Sequence, residues 1–289
     1  MQIGVPKEIK KQEHRVGMVP ASVREMVAHG HKVLVETGAG AGIGFDDAAY
    51  QASGAEIAGT PAEIFAKADM IVKVKEPQAS ECAMLRPDQI LFTYLHLAAD
   101  RAQAEGLIKS GAVAIAYETV TGPDGRGLPL LAPMSEIAGR LSVQVGAHFL
   151  QKHLGGLGRL IGGVPGASAP KLVRKEMLKT MKAGSVMVDI AIDQGGCFET
   201  SHATTHADPV FVVDGVIHYC VANMPGAVPL TSAMALNQSV LPYALKLADK
   251  GWEKALASDK GFQAGLNICK GLVTHEGVAE SLGLPYQAG

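Results

Sequence analysis

The sequence predicts an α/β fold built on a doubly wound, mostly parallel sheet. Over residues 1–120, short β-type runs alternate with segments whose apolar residues recur at helical spacing. Several of these segments begin after Thr or Asp and end at Gly, which are residues that commonly start and stop helices. Such an alternation of strand and helix is typical of a parallel sheet with helices on both faces.

The individual elements follow in order along the chain. The predicted strands of this first part are QIGVP, HKVLVE, MIVKVK, ILFTYLH and AVAIAYE, and the predicted helices between them are PASVREMVAHG, DDAAYQASGA, TPAEIFAKA and DRAQAEGLIKSG. Later segments predict a helix near 174–182, a strand over 185–193, one or two strands in PVFVVDGVIHYCV, and a helix over 231–251.

A long helix is predicted over 135–156, after a turn-rich stretch. Ser135 is its expected N-cap, and Gly155 with Gly156 is its expected stop. Apolar residues four apart form a stripe along it, which we expect to serve self-association: Ile137, Leu141, Val145 and Phe149.

Composition excludes several classes of protein. The chain has 289 residues, 47% of them hydrophobic and 19% charged, and a formal net charge of −2. Its nearest approach to a basic cluster, KEIKKQEHR, carries acids among its bases, so no nucleic-acid surface is expected. No apolar run is long enough to span a membrane. The four cysteines lie far apart, which indicates free thiols in a reducing, cytoplasmic setting.

A glycine-rich turn in KVLVETGAGAGIGFD invites comparison with a dinucleotide-binding loop. The fingerprint G-x-G-x-x-G requires a third glycine where this sequence has Ile43 or Phe45, and glycines would break the first turn of a following helix. A structural turn packed against a neighbouring element is therefore the favoured interpretation. GLGRLIG (156–162) is one residue too long and follows a helix. The residues alone provide no dinucleotide loop.

Four polar residues are candidates for a site at the carboxyl ends of the strands. Lys75 could polarise a carbonyl oxygen, His96 could act as acid or base, and Arg15 could hold a carboxylate. For each of these the structural alternative is favoured: two solvent-facing lysines, Lys73 and Lys75, on an edge strand, a satisfied buried histidine, and a surface arginine. Asp193, between a strand and two glycines, is favoured as a site residue.

Metal binding is not expected. His202 and His206 have H-x-x-x-H spacing, but neither a helix nor a third ligand accompanies them.

Seven stretches together resemble bacterial L-alanine dehydrogenase, within the wider family that includes the transhydrogenase α subunit. The resemblance covers nearly the whole chain in the family's order and rests on MQIGVPKEIKKQEHRVGMVP, ETGAGAGIGFDD, MIVKVKEP, LFTYLHLA, APMSEIAGR, VDIAIDQGGCFETSHATTH and HYCVANMPGAVP. It implies NAD-dependent interconversion of L-alanine with pyruvate and ammonia, and self-association of the chain. It also assigns the glycine turn to the substrate domain.

Residue roles are carried over by the same resemblance. Arg15 and Lys75 would bind the substrate, His96 would be the general acid/base, and Asp193 would orient the amine or water near the nicotinamide ribose. Three remaining positions match the cofactor site: Ser135, Asn223 and Met224. The implied domains are a substrate-binding one over 1–130 with 231–289, and a linking helix with a residual NAD-binding part over 131–230.

One departure from the family affects function. GGVPG runs directly into ASAPKLV, with the join near 164–172, where the family has the βαβ unit that carries its G-x-G-x-x-G; about eighty residues are missing. The gap is compatible with an engineered excision, a recombination or a natural deletion. We therefore expect an alanine dehydrogenase by descent whose NAD binding and turnover are impaired. The alternatives are a pyruvate- or alanine-binding module without catalysis and an oligomeric scaffold.

Overall fold

A computed structural model describes residues 1–158, 175–190, 192, 196 and 198–287. Two compact units make up the chain, the first formed by Met1–Pro133 with Pro229–Gly289 and the second by Met134–Val228. These boundaries differ by at most three residues from those that the sequence suggests. The candidate Asp193, the join near 164–172 and most of GLGRLIG lie outside the described residues.

The first unit is built on an eight-stranded sheet. Its strands are β1 (Gln2–Val5), β2 (Lys32–Glu36), β3 (Glu56–Ala58), β4 (Met70–Val72), β5 (Ile90–Thr93), β6 (Val113–Ala116), β10 (Leu266–Cys269) and β11 (Leu272–Val273). They lie in the order β11-β10-β6-β5-β4-β1-β2-β3. The predicted parallel arrangement is confirmed for β1 to β6, while β10 and β11 are antiparallel additions at one edge.

Helices connect these strands as the sequence predicts. The helices of this unit are α1 (Pro20–Ala28), α2 (Asp47–Ala52), α3 (Pro61–Lys67), α4 (Ala79–Cys82), α5 (Arg101–Ser110), α8 (Pro229–Lys250), α9 (Trp252–Ala257), α10 (Lys260–Gln263) and α11 (Glu276–Leu282). Thr60 and Asp100 accept hydrogen bonds from the backbone of the first turns of α3 and α5, and Gly111 ends α5 in a left-handed conformation.

The strand order reverses between β1 and β4. From β1 the chain adds β2 and β3 on one side, then returns to add β4, β5 and β6 on the other. In open α/β sheets, ligands bind at the carboxyl ends of the strands beside such a reversal. The segments that follow β1, β4 and β5 are therefore adjacent at the edge where a site is expected.

The glycine-rich turn after β2 packs against the segment that follows β1. A Cβ at Gly42 would lie 2.7 Å from the carbonyl oxygen of His14, and a Cβ at Gly40 would lie 2.6 Å from the ring of Tyr50. The Tyr50 hydroxyl in turn donates to the carbonyl oxygen of Met18. The structural interpretation of this turn is confirmed, since its glycines permit close approach of two backbones.

The second unit holds a long helix and a small sheet. Its helices are α6 (Ala132–Phe149), which begins two residues before the unit, and α7 (Lys175–Leu178); its strands are β7 (Val186–Val188), β8 (Val210–Val213) and β9 (Val216–Tyr219). The order is β7-β9-β8, with β8 and β9 forming a hairpin around Asp214 and Gly215, both at positive φ. This Asp-Gly turn suits the twist of a two-residue hairpin.

The prediction for the long helix was wrong at both ends. Ser135 lies inside the first turn of α6 and is not its N-cap. The helix ends at Phe149, because the chain folds back so tightly that a Cβ at Gly156 would lie 2.3 Å from the carbonyl oxygen of Phe149.

The apolar stripe of α6 is used within the second unit. Leu141 belongs to a buried cluster with Tyr219, Val221 and Met224, and Val145 and Phe149 pack against that cluster. These three side chains therefore have partners in the same chain, and the use of the stripe in self-association stays a prediction.

Across the described residues, no helix combines the length and apolar character needed to cross a membrane.

Substituting Gly42 with Ala is expected to lower the free energy of unfolding by about 1–3 kcal/mol, because the new methyl group would collide with the His14 backbone, which cannot rotate away. Thermal unfolding followed by circular dichroism measures the change. Gly139→Ala is the matched control: it lies in α6, where a new methyl group would have nothing within 4 Å, and it should stabilise the helix by about 0.5–1 kcal/mol. Equal stability of Gly42→Ala and the parent chain would contradict the packing role.

Candidate functional site

The two lysines that follow β4 are buried. The interpretation of Lys73 and Lys75 as solvent-facing residues of an edge strand was wrong, since β4 lies between β1 and β5 and the two residues are 0% and 5% exposed. The strand itself ends at Val72, so both lysines belong to the extended segment beyond it. Buried lysines need anionic partners, because desolvation of an unpaired ammonium is costly.

Lys73 has two such partners. Its Nζ lies 3.1 Å from Glu8 Oε2 and 2.7 Å from Glu81 Oε1, and all three side chains are almost fully buried. Glu8 also accepts from the backbone N–H groups of Val74 and Lys75, at 2.7 and 3.4 Å. Burial raises the pKa of Glu8 above its usual value, although the Lys73 charge opposes the shift. This network fixes the backbone that presents Lys75.

Lys75 itself faces a different carboxylate. Its Nζ lies 3.6 Å from Glu76 Oε2, while Lys10 forms a hydrogen bond to Glu76 Oε1. The backbone carbonyl of Lys75 accepts from the Thr93 hydroxyl of β5 at 2.9 Å, which ties the segment to the neighbouring strand.

Arg15 is buried, so the surface-arginine alternative was wrong. Its Nε and Nη2 donate to the two carboxylate oxygens of Glu13 at 2.7 and 2.6 Å, and its backbone N–H donates to Glu13 Oε1 at 2.9 Å. A planar guanidinium bound in this bidentate manner has a defined orientation. Burial lowers the pKa of Arg15, but the hydrogen bond and the charge of Glu13 raise it by a larger amount. The pKa of Arg15 therefore lies above its usual value.

His96 is half-buried at the end of the segment that follows β5. It adopts a left-handed backbone conformation with φ of 51°, and its N–H donates to Glu118 Oε1 at 2.6 Å. Glu118 also accepts from the N–H of Leu95, at 3.1 Å. The imidazole stacks on the ring of Tyr94, with centroids 5.9 Å apart. Non-glycine residues in this backbone conformation tend to cluster at functional sites.

The topology therefore brings three of the candidate residues to one edge of one sheet. Arg15 follows β1, Lys75 follows β4 and His96 follows β5, and these are adjacent parallel strands. The arrangement offers two cationic groups and one imidazole, which suits a small substrate that has a carboxylate beside a polarisable carbonyl.

The three candidate cofactor residues lie in the second unit, and their surroundings support a binding role less well than those of the substrate candidates. Met224 is 2% exposed and belongs to the cluster with Leu141 and Tyr219, so it serves the core. Asn223 is in a left-handed conformation, and its carbonyl oxygen lies 3.1 Å from Nε2 of His206. Ser135 is exposed in the first turn of α6.

His202 and His206 contact different residues. His202 stacks on Phe211 with centroids 3.7 Å apart, and His206 contacts Asn223. Within the described ranges no group of histidine, cysteine and acidic side chains has the geometry of a metal site.

Sequence reasoning missed the acidic partners of the site. Glu8 and Glu13 lie in KEIKKQEHR, Glu76 follows Lys75, and Glu118 ends the predicted strand AVAIAYE. Each occurs at the end of a predicted strand or close after it, at the same sheet edge as the basic candidates. That position was the available signal, because buried cations at a strand end require carboxylates nearby.

Comparison with known proteins bears on these observations. Residues 4–138 match the family described as alanine dehydrogenase/PNT, N-terminal domain, and residues 164–276 match its C-terminal domain. An alanine dehydrogenase of Halomonas elongata is 46% identical over an alignment that covers 99% of this chain and 98% of the relative. The chain belongs to the alanine dehydrogenase/PNT family.

Further relatives and solved structures are also similar to this chain. Alanine dehydrogenase 2 of Staphylococcus aureus is 43% identical, with 100% of this chain and 98% of the relative covered. A solved L-alanine dehydrogenase is 41% identical and superposes with a TM-score of 0.89, covering 98% of this chain and 99% of that one. A transhydrogenase from Sinorhizobium meliloti, at 21% identity and a TM-score of 0.74, shares the fold.

The expected internal gap is present when the chain is compared with alanine dehydrogenases. The alignment to the Halomonas elongata protein runs over 364 positions, whereas this chain has 289 residues in total. At least 75 positions of that relative consequently have no counterpart here. That length is close to the size of the missing βαβ unit inferred from the sequence.

Replacing Lys73 with Met should destabilise the first unit by about 3–5 kcal/mol, because it leaves Glu8 and Glu81 buried without their cation. The loss should be smaller at pH 5 than at pH 8. A buried carboxyl with a raised pKa contributes stability while it is protonated, and that contribution disappears as pH rises through its folded-state pKa.

Urea unfolding at the two pH values measures this effect. Lys246→Met is the control, since Lys246 pairs with Asp259 near the surface, and its removal should cost about 0–1 kcal/mol at either pH. A pH-independent loss for Lys73→Met would argue against charged Glu8 as its cause.

Proposed function

We propose that this chain is an alanine dehydrogenase by descent that retains a pyruvate and L-alanine site and has little NAD-dependent turnover. The observation that carries the proposal is the placement of Arg15, Lys75 and His96 after three adjacent parallel strands. Relatives of 43–46% identity named alanine dehydrogenase support the choice of substrate.

Each residue has a role in this proposal. Arg15, oriented by Glu13, and Lys75, positioned by the Glu8 network, bind the carboxylate and the carbonyl oxygen of pyruvate. Drawing electron density toward Lys75 makes the carbonyl carbon more electrophilic, so ammonia can add to it. His96 then transfers protons as the carbinolamine forms and loses water. Asp193, carried over by resemblance, orients the amine or the water.

NAD is the cofactor that the family implies, and the residues present do not fit it well. The sequence contains no G-x-G-x-x-G, whose glycines and following helix N-terminus bind the pyrophosphate. Met224, one of the three positions matched to the cofactor site, is buried in the core of its own unit. No hydride-transfer step is therefore derived for this chain.

A binding module without catalysis is the second candidate. It is favoured by the same contrast between an intact set of substrate residues and a missing cofactor loop. An assembly scaffold with neither property is the third, and loss of pyruvate binding would point to it. Self-association, with the stripe of α6 as the expected contact, and a cytoplasmic location remain part of the proposal.

Calorimetric titration of the purified chain with NADH, alone and with pyruvate, tests the function. We expect no measurable heat for NADH, because its main anchor is missing, and measurable heat for pyruvate. Clear NADH binding followed by alanine oxidation near the rate of an alanine dehydrogenase of full length would refute the proposed loss of turnover. Absence of heat for both ligands would favour the scaffold.

Lys75→Met should weaken pyruvate binding by roughly 10- to 100-fold, since it removes a charge-assisted hydrogen bond worth about 1.5–3 kcal/mol. The dissociation constant from the same titration measures the effect. Lys32→Met, at the exposed start of β2, removes the same charge and should bind pyruvate as the parent chain does. Indistinguishable affinities for the two variants would remove Lys75 from the site.

A further inference from the structure

Two lysines share the carboxylate of Glu76, and they do so unequally. Lys10 forms a hydrogen bond to Oε1, whereas Lys75 Nζ lies 3.6 Å from Oε2. The latter distance is beyond the usual hydrogen-bond range of about 2.7–3.2 Å. Among the described residues, Glu76 Oε2 is buried without a hydrogen-bond partner. Lys75 and Glu76 therefore attract each other without a hydrogen bond between them.

The environments of the two lysines are also different. The Lys75 side chain is 7% exposed, while that of Lys10 is 39% exposed. Opposite charges attract more strongly away from water, so a close pair of Glu76 with Lys75 would be the stronger of the two in isolation. The observed preference of Glu76 for Lys10 thus leaves the more buried ammonium with donor capacity for another acceptor.

The net charge of the cluster formed by Lys10, Lys75 and Glu76 fits the substrate of the proposed function. Two ammonium groups and one carboxylate carry a net charge of plus one, which complements a monocarboxylate. Burial opposes ionisation of Glu76, but the charge of Lys75 and the hydrogen bond from Lys10 outweigh it, so the pKa of Glu76 lies below its usual value. The carboxylate is consequently charged at neutral pH. Without Lys10, the cluster would be neutral.

We propose that Lys10 sets the affinity for the substrate carboxylate by keeping Glu76 from pairing closely with Lys75. This inference rests on the proposed function, because it assumes that Lys75 binds pyruvate. Lys10 is a positioning residue in this account: it acts through Glu76, and it competes with Lys75 for that carboxylate. Removing Lys10 lets Glu76 turn its oxygens to Lys75 and neutralise it.

We call the action of Lys10 on Lys75 through Glu76 the relay. A double-mutant cycle on the full chain tests it, with pyruvate affinity measured by calorimetry. Lys10→Ala should raise the dissociation constant about five- to tenfold, as expected for a partly buried charge pair. Glu76→Gln should bind pyruvate at least as tightly as the parent chain. The double variant should match Glu76→Gln within about twofold, because Lys10 has no further role once Glu76 is uncharged.

Two controls accompany the cycle. Lys11→Ala removes one charge from the exposed neighbouring position and should leave the affinity unchanged. Lys10→Arg keeps the charge and should restore most of the affinity. A purely structural role for Lys10 would not be reversed by a second substitution at Glu76.

The outcomes separate this inference from the function on which it rests. Lys10→Ala with the affinity of Lys11→Ala, or a double variant as weak as Lys10→Ala, would overturn the relay and leave the pyruvate site intact. A parent chain that binds no pyruvate would overturn the proposed function and the relay together.

Discussion

The buried ion network of Lys73 with Glu8 and Glu81 is the interaction on which the rest of the site depends. It joins the segment after β1, the segment after β4 and helix α4 in the interior of the first unit. Glu8 also binds the backbone on both sides of Val74, so the position of Lys75 follows from this one carboxylate. Charges are costly to bury, and a network in which each has a partner permits few alternative arrangements. Its contribution is geometric: it presents a second lysine at a strand end.

The same principle of paired charge recurs around the site. Glu13 orients Arg15, Glu118 holds the backbone at His96, and Glu76 is shared between Lys10 and Lys75. Three acidic side chains therefore accompany the three candidate site residues, and none of these acids is one of the candidates. The glycine turn after β2 completes the arrangement by packing against the backbone beside Arg15. The glycines of that turn suggest a cofactor loop in the sequence, but in the structure Gly42 allows the turn to approach the backbone of His14 closely.

The second unit is compact although the chain is shorter than its relatives. At least 75 positions of a close relative are missing, yet the described part retains a three-stranded sheet and a helix that buries one face against it. Leu141, Val145 and Phe149 of α6 pack in the buried cluster inside the unit. The residues proposed for substrate binding that the structure describes lie in the first unit, and the positions matched to the cofactor site lie in the second.

The sequence by itself determined the alternation of strands and helices, the mostly parallel sheet and, through seven stretches that resemble alanine dehydrogenases, the family. The strands and helices follow from local periodicity, caps and turn residues, which act over a few neighbouring positions. It also placed Arg15, Lys75 and His96 near strand ends, but it could not decide whether they were buried. Burial depends on strand order, and only the tertiary structure put β4 between β1 and β5. The acidic partners were undetermined for the same reason: Glu8 and Lys73 are 65 residues apart in sequence, and only the folded sheet brings them together.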